Sequence, residues 1–252
     1  MNSDIEVSVR EDHVAIVEIC KPPNNFFSNN LISNLAETFE HLDQNDAVRV
    51  SVLCSQGKHF CGGADFSGNS DDNDTLGLYA GAVRIFRCNK PIIAVIQGAA
   101  IGGGLGLALT ADFRVASPES RFSANFARLG FHQGFGLTVT LPELIGQQAS
   151  KEMFFTGRRV KGEEAFSLGL CDQLVPLDEG RLTAISFAKE IAMSAPLAVE
   201  SIRKTLRGDL ADRIEAITLH EASEQGRLTQ TEDWREGIKA SSQRRDPLFR
   251  RK

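Results

Sequence analysis

Residues 92–108 read IIAVIQGAAIGGGLGLA, and this stretch decides the fold class of the chain. Its first five residues are uninterrupted apolar positions, which is typical of a strand buried on both faces of a parallel sheet. Glycines at 98, 102–104 and 106 follow, and the run then leads into a helix. Glycines at the start of a helix leave main-chain N–H groups uncovered, and such groups attract negatively charged oxygen atoms.

A second glycine-rich turn lies earlier in the chain. Residues 57–66 read GKHFCGGADF and directly follow a predicted apolar strand at 48–54, and the small residues at 61–64 leave backbone amides open to a ligand. Two such turns after two neighbouring strands can direct two amides towards one oxygen atom, which is the arrangement of an oxyanion hole. Tight-turn geometry alone would also require these glycines, so each turn by itself indicates little about function.

The pattern around these turns predicts an α/β fold. Residues 5–19 alternate apolar and polar positions, as expected for a hairpin, and Ser28 is placed to cap a helix whose apolar residues recur at helical spacing. Further strands are predicted at 92–96, 113–116 and 172–175. Because helices of ten or more residues separate the strands, we expect mainly parallel pairing.

The last quarter of the chain differs from the rest. From Arg181 onward the pattern predicts helices, broken at Pro196 and near Gly208. Their apolar residues are thinly spread among charged ones, so these helices should pack against the core or against another subunit. We therefore divide the chain into a core at 1–190 and a helical region at 191–252.

Composition excludes several classes of partner. The chain has 252 residues with a formal net charge of −5, which argues against nucleic acid. The five cysteines lack CxxC spacing, and the first residues lack the features of a signal peptide, so we predict a cytoplasmic protein with reduced thiols and no metal. The most apolar stretch, 92–111, contains Gln97 and five glycines, so we predict no membrane partner.

Nucleotide-binding motifs do not match. No register of residues 98–109 satisfies GxGxxG, and GxxxxGK[ST] is absent from the sequence. A nucleotide-binding regulator is therefore the last of the alternatives.

Together the two turns resemble the enoyl-CoA hydratase/isomerase (crotonase) family. The resemblance rests on residues 60–65 (FCGGAD) and on residues 98–108, with Ala111 and Asp112 just beyond. Supporting matches occur in the same order along the chain, at the PPNN turn of 22–25, at FTGRR of 155–159 and at 163–176. Several motifs in the right order are more specific than any one of them.

This resemblance implies a crotonase-type spiral of ββα units at 1–190, followed by a C-terminal helical region used for trimerisation. It further implies a homotrimer or homohexamer and an acyl-CoA thioester as substrate, with coenzyme A as part of the substrate and no other cofactor. By motif position, the amides of Ala64 and Gly103 would hold the thioester oxygen. The other implied substrate contacts are Asp65, Phe66 and Ser67 along the CoA moiety and Phe249 near a CoA site, which a neighbouring subunit could provide.

Thioester chemistry explains why two amides suit such a site. A thioester carbonyl delocalises poorly, so loss of an α-proton or attack on the carbonyl builds charge on its oxygen. Each preorganised donor can lower that barrier by roughly 3 kcal/mol.

Two positions depart from the hydratase pattern. Hydratases of the family use two glutamates, and the corresponding residues here are Gly106 and Phe126. Hydration needs a base for water and an acid for the α-carbon, each worth a factor of about 100 to 10,000, so the two-glutamate mechanism is not expected. Residues 102–106 resemble the aryl-CoA dehalogenase branch, but the nucleophilic aspartate of that branch would fall at Gly134. An aromatic residue at 126 makes a flat or bulky acyl group a candidate substrate.

Two other side chains are candidates for proton transfer. His132 lies in the segment that faces the acyl group in relatives, and an imidazole has a suitable pKa range for a base. Tyr79, the only tyrosine, could donate a proton to an enolate. For each, an ordinary role is the more frequent one: a surface or supporting histidine, and a packing tyrosine.

The sequence thus predicts an acyl-CoA-binding enzyme of this family that stabilises a thioester enolate at Ala64 and Gly103. Isomerisation, decarboxylation or hydrolysis on the same intermediate are the alternatives among reactions. A non-catalytic acyl-CoA binding protein is the alternative from another class.

Overall fold

Two sheets contain the strands of the fold. The computed structural model describes residues 4–66 and 74–252. The strands in chain order are β1 (Ile5–Val9), β2 (Val14–Ile19), β3 (Val50–Ser55), β4 (Ile92–Ile96), β5 (Ala99–Ile101), β6 (Phe113–Ala116), β7 (Arg121–Ser123), β8 (Val160–Lys161) and β9 (Gln173–Leu174).

The larger sheet has six strands in the order β1-β2-β3-β4-β6-β9. β1 and β2 form the predicted antiparallel hairpin, and every other pairing in this sheet is parallel. The predicted α/β class with mainly parallel strands is therefore confirmed. β5, β7 and β8 form a separate three-stranded sheet that the sequence pattern did not predict.

Helices connect the strands and form the regular secondary structure of the chain between residues 180 and 242. They are α1 (Asn29–Asp43), α2 (Thr75–Arg87), α3 (Gly103–Ala108), a 3-10 helix (Asn125–Leu129), α4 (Leu137–Ile145), α5 (Gln147–Thr156), α6 (Gly162–Leu168), α7 (Gly180–Ala192), α8 (Pro196–Arg207), α9 (Leu210–Leu228) and α10 (Glu232–Ser242). The predicted cap is confirmed, because the Ser28 hydroxyl accepts from the Leu31 amide at the start of α1. The predicted breaks at Pro196 and Gly208 are also confirmed.

The larger sheet buries both of its faces, which explains the continuous apolar runs of β3 and β4. Alternate residues of one strand point to opposite faces. Leu53 and Ile92 belong to the main core with α1 and α2, whereas Val52 and Ile93 belong to a second core covered by α7.

An ionic cluster ties α8 to the sheet. Asp112, just before β6, accepts from the Ile92 amide and from the guanidinium groups of Arg203 and Arg207. The three charged side chains are only 8–16% exposed. Asp112 therefore has a structural role at the junction between the core and the C-terminal helices.

None of the helices in the described part of the chain is, taken singly, both long enough and apolar enough to cross a membrane. The bent pair of α7 and α8 meets those length and composition criteria only when its two helices are taken together.

Candidate active site

The two glycine-rich turns run side by side. Cys61 pairs in parallel with Ala100 of β5, with the Cys61 amide donating to the Ala99 carbonyl and the Ile101 amide donating to the Cys61 carbonyl, both at 3.0 Å. In a parallel pair, residues equally far beyond the paired positions are neighbours. Ala64 and Gly103 each lie three residues beyond that pair, and a Cβ on Gly63, the residue before Ala64, would lie 3.8 Å from the Gly103 amide nitrogen, so the two predicted amides belong to adjoining turns.

A close approach of the backbones explains the glycines here. A Cβ on Gly63 would lie 2.7 Å from the Ile101 carbonyl oxygen and 3.8 Å from the Gly103 amide nitrogen. A Cβ on Gly104 would lie 2.3 Å from the Cys61 carbonyl oxygen, a distance that real Cβ atoms do not show. The glycines therefore allow the two turns to touch, in addition to any role in binding.

Neither predicted amide takes part in the main-chain hydrogen bonds of the described residues. Within residues 4–66 and 74–252, the amides of Ala64 and Gly103 donate to no main-chain carbonyl. For Gly103 the reason is its position at the first residue of α3, where an N–H has no partner within the helix. Two neighbouring donors are thus left for an external acceptor.

Asn25 holds the glycine-rich turn at 57–66 in place. Its side chain is fully buried, and its amide group donates to the carbonyls of Gln56 and His59 at 2.8 and 2.6 Å. The neighbouring backbone adds two bonds, from the Gly62 amide to the Asn24 carbonyl and from the Phe27 amide to the Gly63 carbonyl. The PPNN turn at 22–25 therefore supports the predicted site, because its hydrogen bonds hold the turn at 57–66 in place.

His59 links the two turns. Its Nδ1 accepts from the Ala99 amide at 3.3 Å. Burial lowers the pKa of His59, with the charge of Arg121 as a further cause, and this favours the neutral ring that can accept. These contacts support a structural role for His59.

Phe135 occupies the space beside Gly106, which the resemblance aligns with one of the two hydratase glutamates. A Cβ on Gly106 would lie 2.6 Å from the Phe135 Cβ. Phe135 is 1% exposed, and its ring also lies 3.7 Å from the position of a Cβ on Gly103. The space into which a side chain at 106 would extend is therefore filled by the Phe135 side chain.

Phe126, which the resemblance aligns with the second hydratase glutamate, begins a row of aromatic rings. Its ring lies 3.7 Å from the position of a Cβ on Gly102, next to the predicted amide of Gly103. It packs edge-to-face on Phe131 with centroids 5.4 Å apart, and Phe131 packs likewise on Phe66 at 5.8 Å. Phe66 is 40% exposed, so the row runs from the buried turn to the surface.

Tyr79 lies one ring further from the amides. Its ring contacts Phe135 edge-to-face at 6.4 Å, and its hydroxyl donates to Gln225 at 2.8 Å. Burial raises the pKa of Tyr79, and the charge of Glu221 raises it further. A Cβ on Gly134 would lie 1.8 Å from the Tyr79 hydroxyl oxygen, so the dehalogenase-type aspartate has no room at that position.

The ring of His132 lies against the C-terminal helices. It packs edge-to-face on His220 of α9 with centroids 5.7 Å apart, and its Nδ1 is 2.8 Å from the Gln133 carbonyl oxygen. Its own carbonyl accepts from Gln225. None of these contacts joins His132 to the turns that carry Ala64 and Gly103.

The other predicted contacts are spread along the surface. Asp65 is exposed beside Phe66, and Ser67 lies outside the described residues. Phe249 is 42% exposed in a tail that returns to α10, where Asp233 accepts from the amides of Arg250 and Arg251. Within the described ranges, no three His, Cys, Asp or Glu side chains are grouped so as to hold a metal ion.

Comparison with known proteins agrees with this geometry. A family model described as "Enoyl-CoA hydratase/isomerase" matches residues 9–252. The chain belongs to this family. A short-chain-enoyl-CoA hydratase of Clostridium acetobutylicum is 30% identical, with 94% of each chain covered. An (E)-benzylidenesuccinyl-CoA hydratase of Thauera aromatica is 32% identical, with 98% of each chain covered.

Solved structures of the family share the fold. A crystal structure of an enoyl-CoA hydratase/isomerase from Pseudoalteromonas atlantica superposes with a TM-score of 0.89 at 25% identity, covering 98% of this chain and 100% of the other. The predicted crotonase-type fold with its helical C-terminal region is thereby confirmed. This chain is an enzyme of the enoyl-CoA hydratase/isomerase family.

Sequence reasoning missed several residues that shape the site of this family member. Phe27 and Phe135 enclose Gly103, and Asn125 has its side-chain oxygen 3.4 Å from the position of a Cβ on Gly102. Glu221 and Gln225 reach the same region from α9. A buried glycine such as Gly106 signals that some bulky group packs against it, but sequence alone does not identify that group.

Proposed function

We propose that this enzyme stabilises the enolate of an acyl-CoA thioester, with the main-chain N–H groups of Ala64 and Gly103 as donors to the thioester oxygen. The observation that carries the proposal is the pair of adjoining amides that the described part of the fold leaves without a main-chain acceptor. Enolate formation places negative charge on one oxygen atom, and preorganised donors bind that charge more strongly than the neutral carbonyl.

Family membership supports an acyl-CoA substrate. The relatives from Clostridium acetobutylicum and Thauera aromatica both carry the name of a CoA thioester substrate. The exposed end of the Phe126–Phe131–Phe66 row gives a flat acyl group an aromatic surface on which to pack. We therefore propose a flat or bulky acyl group in place of a short polar one.

The proposed chemistry does not use paired glutamates. Gly106 offers no side chain, its space is filled by Phe135, and Phe126 offers no carboxylate. The reactions that remain are isomerisation, decarboxylation or hydrolysis through the same oxyanion, with Tyr79 or His132 as candidate proton carriers. Because burial raises the pKa of Tyr79, a Tyr79 that takes part would act as a neutral donor and not as a base.

The quaternary structure and the cellular location of the enzyme are also part of what we propose. We propose a cytoplasmic homotrimer or homohexamer without any cofactor beyond the coenzyme A of the substrate. Exposed apolar side chains on the C-terminal helices, such as Leu197 and Leu206 at 79% and 81% exposure, support burial between subunits.

Exchange of α-deuterium into solvent tests the proposed intermediate. The enzyme is incubated with α-deuterated acetyl-, butyryl- and phenylacetyl-CoA, and deuterium loss is followed by mass spectrometry. Binding of each thioester is measured in parallel against S-ethyl-CoA, a thioether control that lacks the carbonyl oxygen. We expect tighter binding of the thioesters and deuterium loss from at least one. Tight binding without deuterium loss from any of them would remove the proposal.

A further inference from the structure

Glu221 is the one carboxylic acid with a fully buried side chain in residues 4–66 and 74–252. It belongs to α9, in the C-terminal region. Its two carboxylate oxygens accept from the Gly136 amide at 2.9 Å and from the amide and hydroxyl of Thr138 at 3.1 and 2.6 Å. A buried carboxylate with three donors is satisfied, whereas loss of an acceptor there leaves buried donors unpaired.

Gln225 lies one helical turn further along the same face of α9. Its side-chain amide group donates to the His132 carbonyl at 2.9 Å, and its oxygen accepts from the Tyr79 hydroxyl at 2.8 Å. Residues four apart in a helix lie on the same face, so both side chains reach one segment. We call Glu221 and Gln225 the α9 clamp, because they hold the two ends of the segment at 132–138.

The held segment carries the ring that replaces a catalytic carboxylate. Phe135 has φ of 62°, a left-handed conformation that bulky L residues rarely adopt. This conformation costs free energy and persists only where the surrounding structure enforces it. Gly136, also left-handed at φ of 74°, donates directly to Glu221. The clamp therefore bonds to the backbone on both sides of the strained residue.

We infer that Glu221 is a positioning residue for the acyl side of the site: by holding 136 and 138 it keeps the Phe135 ring between Gly103 and Gly106. The inference rests on the proposed function for its catalytic readout and on geometry for the rest. Without the clamp, the left-handed turn at Phe135 relaxes and its ring leaves the neighbourhood of Gly103. The turn at 57–66 has its own support from the Asn25 side chain and from the backbone of Asn24 and Phe27, so contacts of the CoA moiety there do not depend on Glu221.

Glu221→Gln tests this with little change in shape. The new amide group turns a donor towards either the Gly136 amide or the Thr138 pair, so at least one bond of the clamp is lost. Glu215→Gln is the matched control, since Glu215 lies on the same helix, is 61% exposed and pairs only with Arg87 among the described residues. Thr138→Val removes one bond of the clamp and keeps the carboxylate, so it serves as a milder second variant.

Three measurements separate positioning from general loss of structure. For Glu221→Gln we expect amide hydrogen exchange at Gly136 and Thr138 to rise about tenfold or more while protection of the sheet amides is kept. Affinity for CoA itself should stay within about twofold, whereas saturated α-deuterium exchange should fall about 10- to 100-fold, since a displacement of about 1 Å can cost that much. Thr138→Val should show smaller shifts in the same direction, and Glu215→Gln should show none.

The outcomes distinguish this inference from the proposed function. If the parent enzyme exchanges no deuterium, the proposed function is lost, and the amide exchange together with the affinity for butyryl-CoA relative to CoA still decides the inference. Unchanged protection at Gly136 and Thr138 in Glu221→Gln would overturn it. Equal losses of affinity for CoA and butyryl-CoA would also overturn it, because they would indicate damage to the whole site.

Discussion

Gly106 shows how packing can restrict the side chain at one residue position. Its missing side chain and the Phe135 ring form one packed unit, because a Cβ there would meet the Phe135 Cβ at 2.6 Å, close to the backbone and not at a flexible end. A glutamate at this position would add charge and volume where a buried ring already lies. Its accommodation would therefore require Phe135 to move.

Gly106→Glu should consequently destabilise the enzyme without producing a hydratase. We expect the free energy of unfolding to fall by about 2 kcal/mol or more from overpacking, and crotonyl-CoA hydration to stay at the parent level. Urea unfolding and product analysis by mass spectrometry measure the two effects. Gly226→Glu, where a Cβ meets nothing within 4 Å, is the control and should be nearly neutral. A stable Gly106→Glu enzyme with new hydratase activity would show that Phe135 gives way.

Tyr79→Phe tests whether the only tyrosine transfers a proton. The hydroxyl donates to Gln225 and is separated from Gly103 by the Phe135 ring, so we expect α-deuterium exchange within about twofold of the parent. Stability should fall by about 1 kcal/mol, because a buried hydrogen bond to Gln225 is lost. A fall of about 100-fold in exchange with intact thioester binding would instead assign Tyr79 as the proton donor.

At the scale of elements, Asp112 joins α8 to the sheet. Asp112→Asn removes the charge that two nearly buried arginines share, and we expect a loss of about 3 kcal/mol in urea unfolding. The pair of Glu40 and Arg84 is the control, with both side chains more than a third exposed, and Glu40→Gln should cost at most about 1 kcal/mol. Equal losses in the two variants would mean that the cluster at Asp112 behaves as an ordinary surface pair.

A strand can be predicted from sequence when the residues that reveal it lie close together in the chain. The strand at 92–96 could be predicted because burial on both faces makes every residue apolar, and β3 could be predicted for the same reason. β5, β7 and β8 have only two or three residues each, too few for a period-two pattern, and their pairing depends on residues far apart in the chain. Yet β5 sets the register that brings Ala64 beside Gly103.

The candidate site likewise combines features that are local in sequence with features that depend on tertiary contacts. The glycines around 64 and 103 could be recognised because close backbone approach excludes side chains locally. The packing of Phe135 on Gly106 and the reach of Glu221 from α9 depend on tertiary structure, and no local pattern in either segment signals them. Sequence therefore indicated the two glycine-rich turns but not the groups that shape the space around them.

At the scale of the whole molecule, buried thiols predict how stability depends on pH. Burial raises the pKa of the Cys54, Cys61 and Cys88 thiols to about 12. A raised pKa in the folded state contributes stability that is present below the unfolded pKa of about 8.5 and is lost as pH rises through the folded value. We expect the urea midpoint to fall between about pH 9 and 12, and less steeply in Cys88→Ala than in Cys20→Ala. An identical slope in both variants would contradict this account.

Assembly is the last property that the exposed surface predicts. α8 presents Leu197, Ile202 and Leu206 at 79%, 59% and 81% exposure, and burying such a side chain is worth about 1.5–3 kcal/mol. In a closed ring every interface repeats the same contact, so one substitution weakens all of them. We expect sedimentation velocity to show a trimer or hexamer for the parent and smaller species for Leu206→Glu, with unchanged circular dichroism. Val7→Glu, at an exposed apolar position of β1, is the control and should leave the mass unchanged. A parent chain that sediments as a monomer at every concentration would show that this apolar face is not covered by a second copy.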